Sequence, residues 1–316
     1  VTLEQVMSRD WIVRSAAAAV AVGLVGLLSA CGGGGSSGLP PLVVPPAPPA
    51  PSAQINGSNY LDAAAIGTVG RNRALELASQ LDLSFSLGLV SNFTSANFGC
   101  PSGGTAALVA TSSTANTVTF TNCTYPAALF KSGSIAVSNL ETISTGTPPN
   151  AVLSLSRGTY RVLDLITRVL PGDGVDQTYN ASVQADRQAD TSVSLTGLFS
   201  VLRNARSDGY TSLTLNVTKP GGAIVATGMS FDASSPRFSV QPLRVSSVEG
   251  TNLSVRVAAP DTSYVRATVI TPAAGTTPAQ LRLEVFPSGT ATSPSVSQTY
   301  ADNDPLLLAA IGRALQ

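Results

Sequence analysis

Leu213-Thr214-Leu215-Asn216-Val217 decides the fold: apolar and polar side chains alternate with a period of two, the pattern of a β-strand that buries one face. The alternation recurs in Val118-Thr119-Phe120, Ile135-Ala136-Val137, Val193-Ser194-Leu195, Leu253-Ser254-Val255-Arg256-Val257 and Leu281-Arg282-Leu283-Glu284-Val285. Turn formers separate these runs: Ser102-Gly103-Gly104, Pro148-Pro149-Asn150, Pro171-Gly172-Asp173-Gly174, Ser207-Asp208-Gly209, Lys219-Pro220-Gly221-Gly222 and Pro272 to Gly275. Spacings this short leave room for hairpins but not for helical crossovers, so an antiparallel sheet is expected. Roughly ten to thirteen strands are predicted, and because a flat open sheet of that width is unfavourable it should curl or split into two layers. The expected class is mainly β, with α+β as the alternative.

Two helices flank the predicted sheet. Leu61, Ala65, Val69, Leu77 and Leu81 sit near helical spacing, which predicts an amphipathic helix capped by Ser58 or Asn59, running to about Gln80 and packed on the sheet. Gly67 and Gly70 weaken that pattern, and from Leu83 onwards the period changes to two. Leu306 to Leu315, short and apolar after Asp302-Asn303-Asp304-Pro305, predicts a closing helix. Val162, Leu163, Leu165, Ile166, Val169 and Leu170 fit either a helical face or a strand; the β-branched residues and the following Pro-Gly favour strand.

Near the start, Leu28-Ser29-Ala30-Cys31 follows an apolar run from Ser15 to Leu28 that is preceded by Arg9 and Arg14. The run is too short for a permanent membrane span and has the charged, apolar and small-residue order of an export signal. The stretch resembles the lipobox of bacterial lipoproteins. That resemblance implies removal of residues 1–30, with Met7 as the true start, and lipidation of Cys31, whose acyl chains would hold the protein to a membrane. Gly32, where an aspartate would favour inner-membrane retention in enteric bacteria, points to the outer membrane of the cell envelope. Residues 31–52, rich in Gly, Ser and then Pro, read as a tether, its proline part spanning roughly 40 Å at about 3.1 Å per residue. Residues 53–316 read as a single β-rich domain.

The 316-residue chain has a formal net charge of zero and only 11% charged residues, so neither nucleic acid nor anionic lipid is an electrostatically favoured partner. Export implies an oxidising compartment, where Cys100 and Cys123 are read as a structural disulfide. Thr117-Val118-Thr119-Phe120-Thr121-Asn122-Cys123 followed by Ser132-Gly133-Ser134-Ile135-Ala136-Val137 is similar to an F-x-N-C pattern of uncharacterised proteobacterial lipoproteins. That resemblance implies the disulfide and the sheet, and no activity. In outline, a helix plus an antiparallel sheet also resembles the lipoprotein-carrier fold, an unclosed barrel with helices across its mouth.

The catalytic inventory is short. There is no histidine, which removes Ser-His-Asp and Cys-His systems and histidine metal sites. The lysines Lys131 and Lys219 lie outside any Ser-x-x-Lys spacing, and Gly103-Gly104 and Gly221-Gly222 read as turns, not phosphate loops. Scattered carboxylates, with Trp11 lost alongside the signal, disfavour a glycosidase. Asp173-Gly174-Val175-Asp176 and Asp302-Asn303-Asp304 lack the full calcium-loop spacing and read as polar turns. The expectation is a lipid-anchored, non-catalytic envelope protein without cofactor or metal, with a binding or structural role. Its rivals are a carrier of an apolar ligand in the concave face of the sheet and an enzyme relying on carboxylates or serine. The predicted opening helix is long enough to cover much of the sheet, which favours a scaffold over a carrier.

Overall fold

The computed structural model describes residues 54–90, 94–126, 128–141, 157–170, 174–189, 192–218, 224–234, 242–249, 253–272 and 278–315, with the side chains of 83–90 and 187–189 left aside. Among the described residues, the first element is helix α1 (Tyr60–Val90) and the last is helix α2 (Pro305–Leu315). Between them come β1 (Ala96–Gly99), β2 (Thr105–Ser112), β3 (Ala115–Thr121), β4 (Cys123–Tyr125), β5 (Ala128–Ser138), β6 (Gly158–Val169), β7 (Gln177–Ala189) and β8 (Ser192–Arg203). They continue with β9 (Arg206–Thr218), β10 (Val225–Ser234), β11 (Leu243–Val248), β12 (Ser254–Ala258), β13 (Tyr264–Thr271), β14 (Gln280–Phe286) and β15 (Val296–Ala301).

All fifteen strands form one antiparallel sheet ordered by sequence, except that β4 pairs with β5 beside β3. The sheet is not closed. The alternating segments read from sequence all lie in strands, and the ambiguous Tyr160–Leu170 segment is β6, paired on both sides. The prediction of ten to thirteen strands falls short because β1 and β4 are only 4 and 3 residues long, too short for a period to be recognised. A single curled layer, not two, is what forms.

The curl follows from the path of α1. Tyr60 meets Tyr300 on β15. Gly67 sits on Val245, Val255 and Val257 of β11 and β12, Gly70 on Tyr210 and Phe231 of β9 and β10, and Glu76 on Tyr179 of β7. From Tyr60 to Glu76 the helix rises about 24 Å. The strands from β15 back to β7 span about 38 Å along the sheet. A flat sheet could not follow the helix at that rate, so the sheet bends around it, concave inside and convex outside. A line of irregularities eases the bend: Gly133 in β5, Asp164 in β6, Gly197 in β8 and Ser212 in β9 all have positive φ, and the register slips beside each. At Gly197, φ is +147°, and a Cβ would meet the Ser182 carbonyl oxygen at 2.2 Å, so the site requires glycine. The side chain of Asn180 bridges the bulge at Asp164, accepting from its N–H at 2.9 Å and donating to its carboxylate at 3.1 Å.

Three sequence expectations need correction. The helix runs to Val90, ten residues past Gln80, and the residues from Leu83 to Val90 belong to it, not to a period-two segment. Nor is α1 exposed along one face: from Tyr60 to Asp82 only Ser79 is exposed, because the sheet covers it on most sides and α2 covers part of the rest. The alternation in Leu83-Ser84-Phe85-Ser86-Leu87 gave the wrong period because so short a run fits helix and strand alike, and the helix continues through it. Finally, Ser207-Asp208-Gly209 is not a turn. Arg203 pairs with Arg206, so the hairpin turns through Asn204 and Ala205, both at positive φ, and Ser207, Asp208 and Gly209 lie in β9. The turn signals at 148–150 and 219–222, and most of those at 171–174 and 272–275, lie outside the described residues.

The helix ends are tied down as elements. The Asn59 carbonyl accepts the first helical bond from Ala63, making Asn59 the cap position of α1, while its side chain accepts the Asn56 N–H at 2.9 Å and donates to the Gln54 carbonyl at 2.8 Å. Asp304 caps α2 through the Leu306 N–H at 2.8 Å, with Pro305 at the first helical position. Arg313 of α2 pairs with Asp62 of α1 at 2.7 Å, joining the two ends of the domain.

Candidate functional site

Cys31 and the tether to residue 53 lie outside the described residues. Cys100 and Cys123 are joined in a disulfide, Cα to Cα 5.3 Å, that ties the end of β1 to the start of β4. Cys123 is fully buried, and Phe120, three residues earlier, stacks on Phe130 at 4.9 Å inside the sheet. Asn122 has φ +47° and ends β3, letting the chain step to β4. The F-x-N-C spacing thus has a local cause: an inward aromatic, a residue tolerant of the left-handed region, and a staple.

The deepest polar groups lie where α1 crosses the sheet. Arg71 reaches Glu249 through Nε at 2.9 Å and Nη2 at 2.5 Å, both side chains about 95% buried, and Ser247 donates to the same carboxylate at 2.6 Å. Arg73 pairs with Asp208 and donates to the Tyr210 hydroxyl at 3.1 Å; Arg206 reaches the other Asp208 oxygen at 3.0 Å. Glu76 accepts from the Tyr179 hydroxyl. Burial pushes the Tyr179 phenol well above its ordinary range, the Glu76 carboxylate adding to the shift, and burial likewise raises Tyr210. Both phenols are therefore held neutral and serve as hydrogen-bond partners of the helix. The two arginines and Glu76 were not singled out in sequence. The available signal was a set of charges on an otherwise apolar, Ala-rich helix, which predicts partners when the helix is enclosed.

Among the described residues, the cavities beside α1 are small. A cavity of about 40 Å³ lies between Asn72, Arg73, Glu76, Gln177 and Arg203 under the end of α2, and one of about 20 Å³ between Arg71 and the inner faces of β12–β14. Water needs roughly 10–15 Å³ on this measure, and a small-molecule site typically 300 Å³ or more. Each of these cavities therefore fits waters and no more.

The polar loops are engaged locally. Asp176 takes Lys131 at 2.6 Å and Arg168 at 2.8 Å, and these hydrogen bonds lower its carboxyl pKa. Asp304 is the cap of α2. Among the described residues, no group of three or more Cys, Asp or Glu is placed to hold a metal ion, and no helix is long and apolar enough to cross a membrane. No family model, curated protein or solved structure matches the chain.

Proposed function

We propose that this chain is a lipid-anchored protein of the bacterial cell envelope, held to a membrane, in our reading the outer one, through Cys31, and that its β-rich domain has a non-catalytic structural or binding role. The observation that carries the scaffold reading is the filled concave face: α1 occupies the space in which a carrier would hold its cargo, and the cavities beside it are about 20 and 40 Å³. The interior charges support a structural role as well, since Arg71, Arg73 and Glu76 are spent on fastening the helix to Glu249, Asp208 and Tyr179. The anchor rests on the lipobox-like Leu28-Ser29-Ala30-Cys31 and the tether that follows.

Two measurements test this reading. Cells fed a clickable fatty acid should label the wild type and not Cys31→Ala; equal labelling of both rejects the anchor. Native mass spectrometry of protein purified from its own host should show the bare chain mass plus only the lipid on Cys31. A co-purifying apolar molecule that raises the melting temperature, as mass action requires of a native-state ligand, rejects scaffold in favour of carrier.

A further inference from the structure

On the convex outer face, the strands β11 to β14 bring together four arginines that are far apart in sequence. Arg256 lies directly across from Arg266, and Arg266 from Glu284. Arg282 is flanked by Thr268 and Thr299, and Arg244 lies opposite Asp232. At about 4.8 Å between strands and about 6.7 Å between alternate residues, the four arginines occupy a patch roughly 14 Å across the strands and roughly 13 Å along them, about 20 Å from Arg244 to Arg282. Two carboxylates answer them: Glu284 holds Arg266 at 2.8 Å, and Asp232 holds Arg244 at 3.1 Å. Among the described residues, Arg256 has only the Tyr264 ring, 4.0 Å away, and the exposed Arg282 has no hydrogen bond or ion pair. Like charges directly opposite one another, as in Arg256 and Arg266, weaken a strand pair, so the face is electrostatically unsatisfied as it stands. A shallow depression of about 340 Å³ opens there between Ser254, Arg266, Thr268, Arg282 and Glu284.

We propose that this outer face of β11–β14 binds a linear acidic polysaccharide carrying a carboxylate on its sugars. Guanidinium groups recognise carboxylates through paired hydrogen bonds, and Arg266 and Arg244 already hold carboxylates on this face. The convex surface selects a flexible chain over a planar bilayer, which would touch a curved face only along its crest. The interleaved hydroxyls of Ser246, Ser254, Thr268 and Thr299 match sugar hydroxyls, and the exposed apolar side chains of this face, Val248 and Ile270, lie at its margin, whereas a protein interface would need them at its centre. Single-stranded nucleic acid would need open aromatic faces for its bases; the Tyr264 ring stacks on Phe286 and lies under Arg256, and Phe286 is buried. The proposal is independent of lipidation at Cys31.

The test uses the full-length protein in a nonionic detergent over immobilised polygalacturonate at low ionic strength. Retention is expected, with elution by added salt and no retention on neutral dextran. Exposed charge pairs contribute up to about fivefold each, so Arg256→Ser combined with Arg282→Ser should weaken binding by about tenfold, with the thermal transition no lower than in the wild type, since the substitution removes the repulsion between Arg256 and Arg266. Arg161→Ser, on the outer face of β6, should bind like wild type. Absence of retention, equal binding by the double variant, or tighter binding to single-stranded DNA, polyglutamate or anionic vesicles than to polygalacturonate overturns the proposal.

Discussion

Gly67 shows how far a single residue's effect depends on what surrounds it. On an exposed helix, Gly→Ala gains about 1 kcal/mol from propensity. Here a Cβ would land 2.3 Å from Cγ2 of Val257, and overpacking of that kind costs about 1–3 kcal/mol. Gly67→Ala should therefore destabilise the protein in urea titration; a raised midpoint would show that the helix can shift off β12. Arg71 poses the opposite problem, removal of a partner. Arg71→Met leaves Glu249 buried with only Ser247, a change that typically costs about 3–5 kcal/mol, and adding Glu249→Leu should restore part of it. Equal stability of the single and double variants in a thermal melt would contradict the pairing. Alkaline pH tests the buried phenols. Their pKa values are raised in the folded state, so their contribution is intact below the unfolded phenol's value of about 10 and is lost as pH rises through the folded value. Stability should fall above about pH 10 by about 1.4 kcal/mol per pH unit for each phenol. Tyr179→Phe should reduce that slope by one phenol's share, whatever its effect at neutral pH.

At the scale of elements, the disulfide and α1 stabilise different parts of the sheet. β1 ends the sheet, with β2 and β3 next to it and β4 paired only with β5, and the disulfide closes a loop of 23 residues across this end. Replacing both Cys100 and Cys123 with serine should cost about 3 kcal/mol by the chain-entropy estimate. The loss should appear in hydrogen exchange as lost protection of β1 and β2 before β7 to β9, which lie mid-sheet with paired neighbours on both sides. Uniform loss across all strands would assign the disulfide a global role instead. The alternating run from Leu83 to Leu87 hid the extent of α1, and the burial of Tyr60 to Asp82 hid its polar face. Amphipathic spacing is a record of two environments, and a helix wrapped by its own sheet meets nearly one. The closing helix was readable because it is a short apolar run that Asp302-Asn303-Asp304-Pro305 starts, with Asp304 as its cap.

For the whole molecule, the sheet and helix form one cooperative body. α1 carries side-chain contacts to β7, β9, β10, β11, β12 and β15, and α2 returns to its start through Arg313 and Asp62. Heating should give one transition, with α1 exchanging its amides together with the central strands; early exchange of α1 would mean that it can leave the sheet and open the concave face. That experiment bears on the scaffold reading directly, because an interior that opens readily would suit a carrier.

The sequence by itself determined most of the strands, the antiparallel pairing, the presence of two flanking helices and the position of the staple, because periodicity, turn spacing and cysteine count are local properties of the chain. Tertiary structure alone decided three things. It placed α1 inside the curl, which turned Gly67 and Gly70 from apparent defects into points of close approach. It drew Asp208 from a turn-like Ser-Asp-Gly into β9, where burial demanded a partner and Arg73 supplied it. It also gathered Arg244, Arg256, Arg266 and Arg282 onto one convex face of a chain whose net charge is zero. Net charge is a sum over all residues, whereas a surface potential depends on which residues the register sets side by side, and register exists only in the folded sheet.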